Sequence, residues 1–88
     1  MITGKTKSGF EFEIEEEKLD DYELLELLVE ADNGDNAALF KAIDFILSKE
    51  QKSALKEHLR KIHGRVPASA MITEFMDIME TSNQGKNS

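Results

Sequence analysis

Cysteine and tryptophan are absent from this 88-residue chain, and proline and tyrosine occur once each. Without cysteine there is no disulfide and no thiolate metal site, which fits a reducing compartment. No apolar run approaches the roughly 20 residues of a membrane span. The start, Met1-Ile2-Thr3-Gly4-Lys5, lacks the apolar stretch of a signal peptide. A soluble, intracellular protein is expected. Basic side chains are also in deficit, 11 Lys and Arg against 18 Asp and Glu, a net charge of −7. That argues against non-specific nucleic-acid binding, which needs a surplus of cations.

The charge is unevenly spread. Residues 1–35 carry 3 Lys and 12 Asp/Glu, a balance of −9, whereas residues 36–66 carry 7 Lys/Arg and 3 Asp/Glu, a balance of +4. An acidic front and a basic middle permit head-to-tail self-association or docking of a charged partner. One domain is expected at this length. Its core is modest, so a partner or a second copy would add useful buried area.

Phe10, Phe12 and Ile14 alternate with Glu11 and Glu13, the period of a half-buried strand. Ser8-Gly9 reads as a two-residue turn from a weaker strand near Lys5-Thr6-Lys7. Such a hairpin needs helices to cover its Phe face. The first helix starts at Asp20, with Glu23 completing a capping box and Leu19 and Leu24 at staple spacing. Leu24, Leu25, Leu27, Leu28, Val29 and Ala31 cover more than half its circumference, which predicts a central helix. Asn33-Gly34 stops it. A second helix over 36–47 follows an Asp35 cap, with Leu39, Ile43 and Ile46 as its stripe. A third begins at Ser48, with Gln51 as a second capping box and Leu55, Leu59 and Ile62 as its seam, and ends at Gly64. A fourth begins at or just before Pro67 and reaches about Glu80. Residues 81–88 hold nothing to bury and are expected to be a disordered polar tail. The fold class is therefore mainly α: an N-terminal β-hairpin followed by a compact bundle of about four helices, one domain over residues 1–80.

Several of these stretches together resemble a known family. They are the Phe-Glu-Phe-Glu-Ile strand, Leu19-Asp20-Asp21-Tyr22-Glu23-Leu24-Leu25-Glu26, the Asn33-Gly34 turn, Leu55-Lys56-Glu57-His58-Leu59, Gly64-Arg65-Val66-Pro67, and a Met-rich last helix from Met71 to Ile78. The pattern, over roughly residues 10 to 79, resembles the small tail assembly chaperones of long-tailed (siphovirus-type) bacteriophages and prophages. The resemblance implies a non-enzymatic factor of the infected host's cytoplasm, absent from the finished virion. It would coat the aggregation-prone tape measure protein and help recruit tail tube subunits. Many such genes yield a short form and a longer form made by frameshifting, and this chain looks like the short one. The family offers no site chemistry to carry over, so no residue role is taken from it.

The candidate binding residues come from the helices. Lys49, Lys52, Lys56 and Arg60 form a basic ridge within about a quarter of the helical circle, suited to an acidic partner or to the acidic front of another copy, or simply to a solvated face. On the last helix Met71, Phe75 and Ile78 form one stripe, and Ile72, Met76 and Met79 widen it to nearly half the circle. One side can face the core and the other a partner helix, for which flexible methionines are well suited. Phe45, off the main stripe of its helix, is a further candidate. Both stripes could equally be core.

Chemistry-bearing motifs are missing. His58 and His63 are five apart, off the i,i+4 spacing of a helical metal pair, and no third ligand is placed. Glu15-Glu16-Glu17 with Asp20-Asp21, and Asp32 to Asn36, lack the ligand order of a calcium loop. Ser8, Ser48, Ser53 and Ser69 have no glycine-rich elbow, and there is no phosphate-binding loop. No enzyme activity, cofactor or metal is expected. Two rival readings stay open: an acidic inhibitor that mimics nucleic acid, and a helical regulatory adaptor. The +4 middle weighs against the first. Glu74, Asp77 and Glu80, with no Lys or Arg between residues 68 and 80, weigh against a DNA-recognition helix in the second.

Overall fold

The strand that carries Phe12 and Ile14 sets the floor of the core. In the structure, a computed structural model describing the backbone of residues 1–87 and the side chains of residues 1–82, β1 (Ile2–Lys5) and β2 (Glu11–Ile14) pair antiparallel. The register sets Ile2 opposite Ile14, Gly4 opposite Phe12 and Lys5 opposite Glu11. Every second side chain therefore turns inward: Ile2, Phe12 and Ile14 are buried, while Thr3, Glu11 and Glu13 are exposed. The Lys5–Glu11 pairing matches the expected lysine–glutamate neighbours, but the first strand lies three residues earlier than expected. The turn differs too. Gly9 N–H donates to Thr6 O (2.9 Å) and Thr6 N–H donates to Phe10 O (2.9 Å). This is a three-residue loop closed by Gly9 at φ 97°, a left-handed position that glycine takes without strain.

Among the described residues five helices follow: α1 (Glu16–Leu19), α2 (Tyr22–Asp32), α3 (Asn36–Ile46), α4 (Lys49–His63) and α5 (Ala68–Asn87). The chain is thus mainly helical behind an N-terminal hairpin, with the single turn α1 as an addition to the expected elements. Asp35 and Ser48 cap as expected: Asp35 accepts from Ala37 N and Ala38 N, and Ser48 accepts from Gln51 N. Gly64 closes α4 in the left-handed conformation. The cap of α2 is Asp21, not Asp20. Its side chain accepts from Glu23 N, because α1 takes Asp20 as its own C-terminal residue. Pro67 precedes α5, its carbonyl accepting from Ala70 N and Met71 N.

The second capping box is only half formed. Gln51 leaves its own helix N-terminus and turns to the hairpin, where its Oε1 accepts from Glu13 N (2.7 Å) and its Nε2 donates to Glu13 O (2.5 Å). One amide thereby occupies the outward backbone pair of β2, a strand edge that would otherwise be open to another chain. Gln51→Ala is expected to lower stability by about 1–2 kcal/mol for the two lost hydrogen bonds. A thermal melt that is shifted by less than about 2 °C would show that the edge does not need this cover.

The core unites the hairpin face (Phe10, Phe12, Ile14) with Leu24, Ala42, Ile43, Ile46 and Leu47, Leu55 and Leu59, and Phe75 and Ile78. The molecule measures 35 × 31 × 20 Å. A short axis of 20 Å is about two helix diameters, so every helix keeps an outward face. Two expectations fail for this reason. Leu24 is the one fully buried residue of α2, so α2 is not central. Ile62 of the α4 seam is 53% exposed, beyond the reach of the core. In α5, Thr81 is half-buried and Ser82 fully buried, so packing continues past the expected end at Glu80. The rest of the expected polar tail, residues 83–88, lies outside the described side chains.

Candidate interaction surface

The last helix sorts its apolar residues by direction. Phe75 and Ile78 are fully buried, and Met71 is half-buried against the same cluster. Phe75 therefore serves the core and offers nothing to a partner in the folded state. The second stripe grades outward: Ile72 and Met79 are half-buried and Met76 is 61% exposed. Phe45 on α3 is half-buried and rests on the core. Met71 and Lys52 come together with Phe40, Ile43, Asp44 and Ala68 around an open groove of about 330 Å³ between α3, α4 and the start of α5. Phe40, not singled out by the sequence as a binding residue, is 45% exposed there.

The basic ridge is less free than its spacing implied. Lys52 Nζ bonds Asp44 Oδ1 across α3 and α4 (2.5 Å), and Arg60 pairs with Glu57 one turn back on its own helix. Every partner is about one-third exposed or more, so each pair adds little stability, yet each lowers the charge the ridge presents. Among the described residues, Lys49 and Lys56 make no ion pair.

The largest unforeseen apolar surface is on α2. Tyr22, Leu25 and Val29 are 72%, 53% and 52% exposed. The wide apolar face of this helix is split: Leu24, Leu27, Leu28 and Ala31 turn inward, and these three turn to solvent.

A polar cluster, also unforeseen, ties the hairpin loop to both long helices. Glu74 on α5 is 5% exposed, and its Oε1 accepts hydrogen bonds from Thr6 Oγ1 and Ser8 Oγ, both at 2.9 Å. Thr6 Oγ1 in turn accepts from Phe10 N (3.1 Å), and Asp77 accepts from Lys7 N. His58 Nε2 on α4 lies 3.0 Å from Ser8 Oγ and 3.1 Å from the Ser8 carbonyl, with its ring against Phe10 at 5.8 Å. A serine and a histidine at this distance raise the question of a nucleophile and its base. The carbonyl answers it. A carbonyl only accepts, so Nε2 carries the proton and is not free to take one from Ser8. The Ser8 hydroxyl proton goes to Glu74 instead. The cluster is a clasp that satisfies buried polar groups. The sequence carried no signal for it, since the helix members lie 50 to 70 residues from their loop partners.

Among the described residues no group of three or more His, Asp or Glu is placed to hold a metal ion. Among the described residues no helix is long and apolar enough to cross a membrane. No protein family, curated protein or solved structure matches this chain.

Proposed function

We propose that this chain is a non-enzymatic tail assembly chaperone of a long-tailed bacteriophage or prophage, which binds helical segments of the tape measure protein and assists recruitment of tail tube subunits in the host cytoplasm. The reading rests on the resemblance of residues 10–79 to that family. One observation carries it further: large apolar side chains stand outward on four helices of a small domain, namely Tyr22, Leu25 and Val29 on α2, Phe40 on α3, Ile62 on α4 and Met76 on α5. Single exposed apolar residues are ordinary, but this many on so small a surface point to protein contacts. A chaperone for a long, aggregation-prone helical protein has to shield apolar stripes without a single shape-specific pocket, and a partly flexible apolar surface does so. The open, shallow grooves between the helices suit side chains of a docked helix better than a small-molecule substrate.

Co-expression with a coiled-coil fragment of a tape measure protein tests the proposal, read by size-exclusion chromatography with light scattering. A soluble complex is expected where the fragment alone precipitates. A chain that elutes alone, beside a precipitated fragment, contradicts the reading. Met76→Asp is expected to weaken that complex at least tenfold while circular dichroism stays unchanged, because Met76 stands mostly in solvent. An unchanged complex would remove Met76 from the binding surface.

A further inference from the structure

We infer that the outer face of α2 is a docking surface for a cationic amphipathic helix of another protein. The inference deepens the chaperone reading, on which it rests for the existence of a helical partner, by stating the chemistry of the segment bound.

The geometry comes first. At about 100° per residue, Leu25, Val29 and Tyr22 fall within about 60° of one another on the helix circle. They form one strip about 10 Å long. The strip lines a shallow depression of about 250 Å³ with Glu26 and Glu30. A neighbouring depression of about 350 Å³ shares Tyr22 and Leu25 and extends to Leu19, Asp20 and Asp21. The apolar strip is thus continuous across the entry to the helix, and carboxylates border it. A convex row of apolar side chains at i, i+3 and i+7 fits the groove between the rows of another helix.

Charge selects the occupant. From Leu19 to Phe40 the sequence holds seven Asp or Glu and no Lys, Arg or His. A helix packed on this face brings its flanking residues within a few ångströms of Glu26 and Glu30, where a like charge costs binding and an opposite charge favours it. The partner must therefore flank its apolar stripe with Lys or Arg. The α4 and α5 faces of another copy do not meet the requirement. Its cationic helix α4 exposes one large apolar side chain, Ile62, too little to cover three. Its α5, which exposes Met76, carries Glu74, Asp77 and Glu80 and no cation over residues 68–80.

The test uses the full chain and two designed helical peptides with the same leucine stripe, one flanked by Lys and Arg and the other by Glu. Fluorescence anisotropy of the labelled peptides reads binding. The cationic peptide is expected to bind, at least tenfold more tightly than the anionic one, and more weakly as salt rises. Leu25→Asp with Val29→Asp should weaken it at least tenfold with circular dichroism unchanged, since both side chains already face solvent. Glu26→Lys with Glu30→Lys should reverse the preference between the peptides, whereas Glu80→Lys on α5 should not. Failure of the cationic peptide to bind would overturn the inference. So would binding that survives Leu25→Asp with Val29→Asp, which is attraction to net charge alone. A homodimer of the peptide-free chain that falls apart on those substitutions would assign the face to a second copy and overturn it too. If the cationic peptide binds here while the tape measure fragment does not co-elute, the chaperone reading fails and this surface stands.

Discussion

Phe75→Ala is expected to remove about 3–5 kcal/mol of stability, the usual cost of emptying a buried phenylalanine site. For 88 residues the whole margin is about 4–13 kcal/mol, so the substitution takes a large share of it and can leave the chain unfolded at 37 °C. The position explains the size. Phe75 is 1% exposed and shares its cluster with Phe10 and Phe12 of the hairpin and with Leu55 and Leu59 of α4. Two elements lose a common neighbour at once, and the hairpin, unstable alone, loses what it leans on. Urea denaturation of Phe75→Ala beside Met76→Ala measures it. Adjacent residues on one helix should differ by several kcal/mol, with Met76→Ala costing below about 0.5 kcal/mol. Equal midpoints would mean that Phe75 is not in the core.

Glu74→Ala is the second large effect, expected at about 2–4 kcal/mol. The figure combines two hydrogen bonds to a charged acceptor, each worth about 1.5–3 kcal/mol, offset by relief from burying a carboxylate. Thr6, 3% exposed, would keep its Phe10 N–H donor and the Ser8 hydroxyl at 3.2 Å but lose its carboxylate acceptor. Glu74→Gln keeps an acceptor oxygen at the same reach and should cost less than half as much. Hydrogen exchange separates a local from a global loss: in Glu74→Ala the Thr6, Gly9 and Phe10 amides should exchange faster than those of α3. A Glu74→Leu variant as stable as the parent would show that the clasp contributes no net stability and would sink this account.

What the sequence made legible was local. Asp35, Ser48 and Gly64 could be placed because a cap is decided by a few neighbouring residues. Alternation of Phe and Glu located β2 for the same reason. The misreadings share a cause. The apolar breadth of α2 says how much surface the helix could bury, not how many neighbours it finds, and in a molecule two layers thick it finds too few for Tyr22, Leu25 and Val29. Asp20 and Asp21 are equally good caps, and the unforeseen turn α1 decides between them. Gln51 had a local partner available and took a distant one, Glu13. Of the candidate binding residues, Met76 proved exposed and Phe75 buried, a difference of one position on a helix whose orientation is fixed only by what packs against it. Glu74 looked like one more surface carboxylate because its two hydroxyl partners are 66 and 68 residues away.

That separation bears on how the molecule is made. Thr6 meets Glu74 and Lys7 meets Asp77 across 68 and 70 residues, so the hairpin loop finds its support on a helix made much later. At about 5–20 residues per second, residue 6 waits on the order of 3–14 seconds on the ribosome before residue 74 exists. Through that interval the hairpin phenylalanines have no α5 to cover them, and the chain is exposed to association through them. Closing such a long loop is an entropic cost that local helices avoid. Docking of α5 therefore belongs late in folding, and any delay in producing that helix prolongs the most vulnerable stage in the life of the protein.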